Sequence, residues 1–112
     1  MELSHKTISG EVTCLQLAGN LDIAGVLAVE TRVLAYCGGD KPRVLIDLSE
    51  TRFIASLGIR LLLQAIKGAA ARGGSLLLWN PTATAGSVLE ISGLGTHVFC
   101  GNEVEAHKKL TS

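Results

Sequence analysis

A chain of 112 residues with ten basic and ten acidic side chains has room for one hydrophobic core and no net charge to steer it toward nucleic acid. Apolar residues at 47% against 18% charged predict folding rather than disorder, and 4% aromatics leave the core to Leu, Ile, Val and Ala. No apolar stretch reaches the roughly 18 residues that suggest a membrane span, and residues 1–10 lack a basic start followed by an apolar run, so no export signal is expected.

Glu2 to Thr7 is a mixed, weakly patterned strand, and Ser9-Gly10 supplies a turn. Glu11 to Ala18 alternates Val12, Cys14 and Gln16 with Thr13, Leu15 and Leu17, and the second set is expected to face the core. Gly19-Asn20 is expected to break this strand. Asp22 then caps a helix over 23–36 whose apolar side is Val26, Leu27, Val29, Val33 and Leu34. Gly38-Gly39-Asp40 ends that helix.

Val44 to Leu48 is a continuous apolar run, expected as an interior strand. A loop over 49–55 leads to a helix over 57–71, in which Leu61, Leu62, Ala65, Ile66 and Ala69 recur at helical spacing. Arg60, Gln64, Lys67 and Arg72 are spaced to reach solvent. Gly73-Gly74 stops this helix, and Ser75 to Trp79 forms another apolar strand. A third helix spans 82–91, a short strand 97–99, and Asn102 to Glu105 fits a capping box that opens a final helix. The predicted order is β-β-α-β-α-β-α-β-α, an α/β domain over 1–112 with a mixed, mostly parallel sheet and helices packed on it.

Ser56 stands where the interior strand's loop meets the second helix. Helix-start N–H groups and the positive end of the helix dipole favour a phosphate there. The same serine can serve as a helix N-cap, and both readings stay open. Asp22 and Asp47 have plainer roles as a helix cap and as an acceptor of loop N–H groups. Ser49 and Thr51 are expected as turn residues.

Cys14, Cys37 and Cys100 form no C-x-x-C pair, which leaves them as small apolar residues in a reduced cytoplasm. His5, His97 and His107 lack metal-ligand spacing. Ile54 and Gly58 flank Ser56, so the G-x-S-x-G elbow of hydrolases is absent, and no glycine run is followed by Lys-Ser or Lys-Thr. No cofactor, no metal and no enzymatic activity are expected.

Three segments in order resemble the STAS domain of bacterial anti-sigma factor antagonists. They are Leu17-Ala18-Gly19-Asn20-Leu21-Asp22, then Val44 to Ser49 followed by Phe53-Ile54-Ala55-Ser56-Leu57-Gly58-Ile59, then Leu89 to Leu94 with the closing Val98-Phe99. The resemblance spans essentially the whole chain. It implies that Ser56 matches a serine phosphorylated by a partner anti-sigma kinase, within a D-S-[ST]-G segment whose glycine is Gly58. Ala55 and Leu57 stand where that segment has an aspartate and a small hydroxyl residue.

The expected function is a cytoplasmic, bacterial protein-interaction module in transcription regulation. Asp22, Phe53, Ile54, Ser56, Leu57 and Gly58 would contact an anti-sigma factor or serine kinase, and phosphorylation of Ser56 would end the contact. The alternative is an unphosphorylated scaffold or regulatory subunit of a transporter ATPase or signalling assembly, favoured by apolar Ala55 and Leu57. A small-ligand carrier or enzyme is a third possibility, to be revived by a tightly bound ligand in the purified protein or by a pocket lined with several polar side chains.

Overall fold

Alternating side chains build the first two strands. The computed structural model describes residues 1–111. In it β1 (Glu2–Ile8) pairs antiparallel with β2 (Val12–Leu21). Ser9 and Gly10, at φ 53° and 71°, make the tight turn between them, closed by a 3.1 Å bond from Glu11 N–H to the Ile8 carbonyl. The chain continues through α1 (Ile23–Tyr36), β3 (Arg43–Asp47), β4 (Thr51–Ile54), α2 (Ser56–Ala71), β5 (Ser75–Trp79), α3 (Ala83–Ile91), a 3-10 turn (Gly95–His97), β6 (Val98–Phe99) and α4 (Glu103–Thr111).

The sheet order is β1-β2-β3-β5-β6, with β4 also on β2, and every pairing except β1–β2 is parallel. This is the mixed, mostly parallel α/β sheet expected from the sequence, with one strand more. Residues 49–55, expected as a loop, contain β4. Residues 19–20, expected as a strand break, lie inside β2. Both differences have one cause. β2 is ten residues long: Thr13–Gln16 pairs with β3, Gly19 pairs with Thr51, and after a register shift at Gly19/Asn20 its last two residues pair with Phe53 and Ile54. Gly19, at φ +117°, takes the bend, and its N–H donates to the Glu50 carbonyl at 3.0 Å.

Both faces of the sheet are covered. Leu15, Leu17, Leu21, Ile46 and Leu78 meet the inner sides of α1, α2 and α3 in the larger core. The opposite set, Val12, Cys14, Leu45 and Leu77, is buried beneath Ala106 and Leu110 of α4. The alternate residues of β2, expected to be the poorer core face, thus form a second core. α4 opens with the expected capping box, since Glu105 N–H donates to Asn102 Oδ1 at 2.8 Å and Asn102 N–H to Glu105 Oε1 at 3.1 Å. His97 falls in the 3-10 turn rather than in a strand. Leu27, expected on the inner side of α1, is 75% exposed.

Thr51 is no turn residue. It is fully buried, its hydroxyl donates to the Leu17 carbonyl at 2.6 Å, and its own carbonyl accepts from Thr82 Oγ1 at 3.1 Å. This hydroxyl ties β4 to β2 where the backbone ladder is irregular. Thr51→Val keeps the shape and loses the bond, at a cost of about 1 kcal/mol. Thermal unfolding should register it as a drop of about 4–8 °C, and an unchanged midpoint would show that the bond contributes nothing.

Candidate functional site at the start of the second helix

Two helices begin on the last two carbonyls of β2. Gly25 in the first turn of α1 lies so close to Asn20 that a β-carbon would overlap its carbonyl oxygen, and Gly58 in the first turn of α2 lies against the Leu21 carbonyl. Such approaches need glycine. Ala55 N–H adds a 3.0 Å bond to the Leu21 carbonyl, and Leu21 and Ile54 are register partners. The turn into α1, the end of β4 and the start of α2 therefore meet at one edge of the sheet. This is the carboxyl edge of β2, β3 and β4, where open α/β sheets place their sites.

Asp22 is the N-cap of α1, its Oδ1 accepting from Gly25 N–H at 2.8 Å. Asp47 at the end of β3 accepts from Ser49 N–H at 2.9 Å and from Gln16 Nε2 at 3.4 Å, the plain role expected of it. Ser56 is exposed and is the first residue of α2 rather than its cap. The cap is Ala55, whose side chain offers no acceptor. The Ser56 hydroxyl makes no hydrogen bond among the described residues and lies in a first turn whose N–H groups no side chain caps.

Phe53 and Leu57, on either side, are 48% and 38% exposed. Ile54 and Gly58, named with them from the sequence as contact residues, are buried. The reason is geometric: Ile54 points into the core from β4, and Gly58 is wedged against Leu21, so both shape the surface from beneath. Ile23 and Leu27, 63% and 75% exposed on the first two turns of α1, were missed. Their spacing of four residues puts them on one face, but an apolar residue in an apolar helix carries no signal of which side it takes.

The remaining chemistry is quiet. Burial pushes the Cys14 and Cys37 thiols up to about 11, with the Asp47 charge adding to the shift at Cys14, so both stay protonated and unreactive at neutral pH. Cys100, expected among the packed residues, is exposed. Among the described residues no group of His, Cys, Asp and Glu could hold a metal ion, and no helix is long and apolar enough to cross a membrane. A half-open cleft of about 210 Å³ on the α4 side of the sheet is lined by Ser4, His5, Lys6, Cys14, Gln16 and Asp47. It is thus a pocket lined with several polar side chains, the feature named above for a small ligand, but its charged groups already have partners in the chain: Lys6 bonds Glu103 at 2.8 Å, which raises the Lys6 pKa, and Asp47 holds Ser49 and Gln16. None of the residues at the start of α2 lines it.

The sequence matches a family model described as "Mlab, STAS domain" over residues 4–101. The anti-sigma F factor antagonist of Lysinibacillus sphaericus is 26% identical over 107 residues, which cover 95% of this chain and 92% of that protein. The anti-sigma factor antagonist SpoIIAA in its unphosphorylated form superposes with a TM-score of 0.82 at 22% identity, over 98% of this chain and 96% of that one. The Bacillus cell fate determinant SpoIIAA in its phosphorylated form superposes with a TM-score of 0.74 at 22% identity, over 96% of this chain and 98% of that one. The STAS domain of a SulP transporter from Vibrio cholerae superposes at 0.72 with 20% identity, over 94% of this chain and 85% of that one.

Proposed function

Because this chain belongs to the STAS domain family, we propose that it is a non-enzymatic switch that docks an anti-sigma factor with serine-kinase activity and lets go when Ser56 is phosphorylated. The observation that carries this reading is the state of Ser56: an exposed, unbonded hydroxyl on the first turn of α2, between the exposed side chains of Phe53 and Leu57. In the modifying step the Ser56 oxygen attacks the γ-phosphorus of ATP, the O–P ester forms, ADP leaves and the hydroxyl proton passes to the kinase or solvent.

The product carries roughly −1.5 to −2 charges at neutral pH. Without a partner, that charge remains in water beside a helix N-terminus and is tolerated. Against a docked apolar surface it would have to lose its hydration, a cost large enough to end the contact. The unmodified form is therefore the binding form, and the protein acts in the compartment that holds the kinase, the cytoplasm.

A cognate anti-sigma kinase with ATP should add one phosphate, located on Ser56 by mass spectrometry and lost in Ser56→Ala. A phosphate that persists in Ser56→Ala, or none at all, sinks the switch. One observation favours a second reading. Ala55 and Leu57 leave the helix start without a side-chain cap and with more apolar surface than a polar segment would give. A constitutive regulatory subunit of a transporter ATPase or signalling assembly would use that surface without modification. Co-purification with such an ATPase, with Ser56 unmodified throughout, would favour it.

A further inference from the structure

The solvent stripe of α2 begins at Ser56 and is basic. Ser56, Arg60, Leu63 and Lys67 follow one another at helical spacings of four, three and four residues, which stacks them along one line opposite buried Leu62, Ala65 and Ala69. Arg60 and Lys67 are exposed, Leu63 is 36% exposed, and no acidic residue occurs anywhere in Ser56–Ala71. Among the described residues the ion pairs are Lys6–Glu103 and His107–Glu11, both far from α2 in the fold, so neither cation of the stripe is neutralised within the chain. In a chain of zero net charge, this local excess faces outward beside the apolar Phe53 and Leu57.

We propose that the partner docked here presents an apolar ridge flanked by carboxylates, and that phosphate on Ser56 releases it partly by capturing the Arg60 guanidinium. This deepens the docking reading above and rests on it. Charge complementarity selects the partner: Leu63 stands between Arg60 and Lys67 along the stripe, so it fits an apolar contact, while the two cations on either side of it call for acidic groups flanking that contact. An anionic membrane is the weaker fit, because two cations on a helix face about 24 Å long fall short of the roughly four to eight that hold such surfaces. The release mechanism follows from spacing. Side chains four apart on a helix are neighbours, and a phosphate one turn away offers the guanidinium a charge-assisted, two-pronged contact within the chain, with more charge than the partner carboxylate it competes with. One modification thus adds repulsion toward an acidic partner and removes one of its two cations.

The test is a titration of isotope-labelled protein with a synthetic amphipathic helix of leucine and glutamate, followed by backbone amide shifts. Shifts should run along Ser56, Arg60, Leu63 and Lys67. Arg60→Glu with Lys67→Glu should raise the dissociation constant at least about tenfold, as should phosphoserine installed directly at position 56. In Arg60→Gln the phosphoserine effect should shrink by at least about threefold, which added charge alone would not produce. Shifts centred on the Lys108 turn of α4, an unchanged constant in the double reversal, or binding to phosphatidylserine vesicles in place of the peptide would each overturn the proposal. The altered side chains are exposed, and unchanged melting temperatures verify that the variants fold. The titration uses no kinase, so a kinase that leaves Ser56 unmodified defeats the reading above, whereas a flat titration defeats this one.

Discussion

Gly58→Val is expected to lower the unfolding free energy by about 2–3 kcal/mol and the melting temperature by roughly 10 °C. A β-carbon at Gly58 would stand 2.6 Å from the Leu21 carbonyl oxygen, 2.9 Å from Leu21 Cγ and 3.0 Å from Ile54 Cγ2. The first of these is backbone at the end of β2 and cannot swing aside. Replacing glycine inside a helix gains under about 0.5 kcal/mol for valine, so the clash decides the sign. The helix start must back away from β2, and the Ser56 surface moves with it. Thermal or denaturant unfolding checks the prediction, and a midpoint within about 2 °C of the parent would mean that α2 is not seated on Leu21.

Phe53→Ala is expected to leave stability nearly untouched and to weaken partner binding by at least about 2 kcal/mol, or some thirtyfold in the dissociation constant. Phe53 is 48% exposed at the end of β4, so its ring gives little to the core. Aromatic side chains on apolar docking surfaces are the usual anchors, because they bury a large area at low entropic cost. Calorimetric titration with the proposed anti-sigma kinase partner, paired with a melting curve, separates the two effects. A variant that binds as tightly as its parent would move the docking surface away from β4.

Much of this architecture was legible in the residues. Gly73-Gly74 and the apolar run of 75–79 placed β5, Asp22 placed the start of α1, and the spacing of Leu61, Leu62, Ala65 and Ala69 placed the buried side of α2. The parts that escaped depend on contacts distant in sequence. β4 is four residues, Thr51–Ile54, whose middle pair is exposed, and nothing in so short a stretch separates strand from loop until the end of β2 is beside it. Gly19 reads as a breaker, yet as a bend inside a long strand it lets β2 serve two neighbours. At the site, Ser56 was found by position, but its lack of a bonded partner was not, because local pattern makes a helix-start serine a cap. The cap fell to Ala55 because the Ala55 N–H bonds the Leu21 carbonyl at 3.0 Å and the Ala55 carbonyl accepts from Ile59 N–H at 3.0 Å, starting the helix one residue earlier.

The proposed control of docking by one hydroxyl is decided by titrating the proposed anti-sigma kinase partner with the protein in two forms, unmodified and phosphorylated on Ser56. The unmodified form should bind, and the phosphorylated form should bind at least about a hundredfold more weakly, a difference of about 2.7 kcal/mol, with the fold of both unchanged by circular dichroism. Equal affinity of the two forms would show that Ser56 does not control docking.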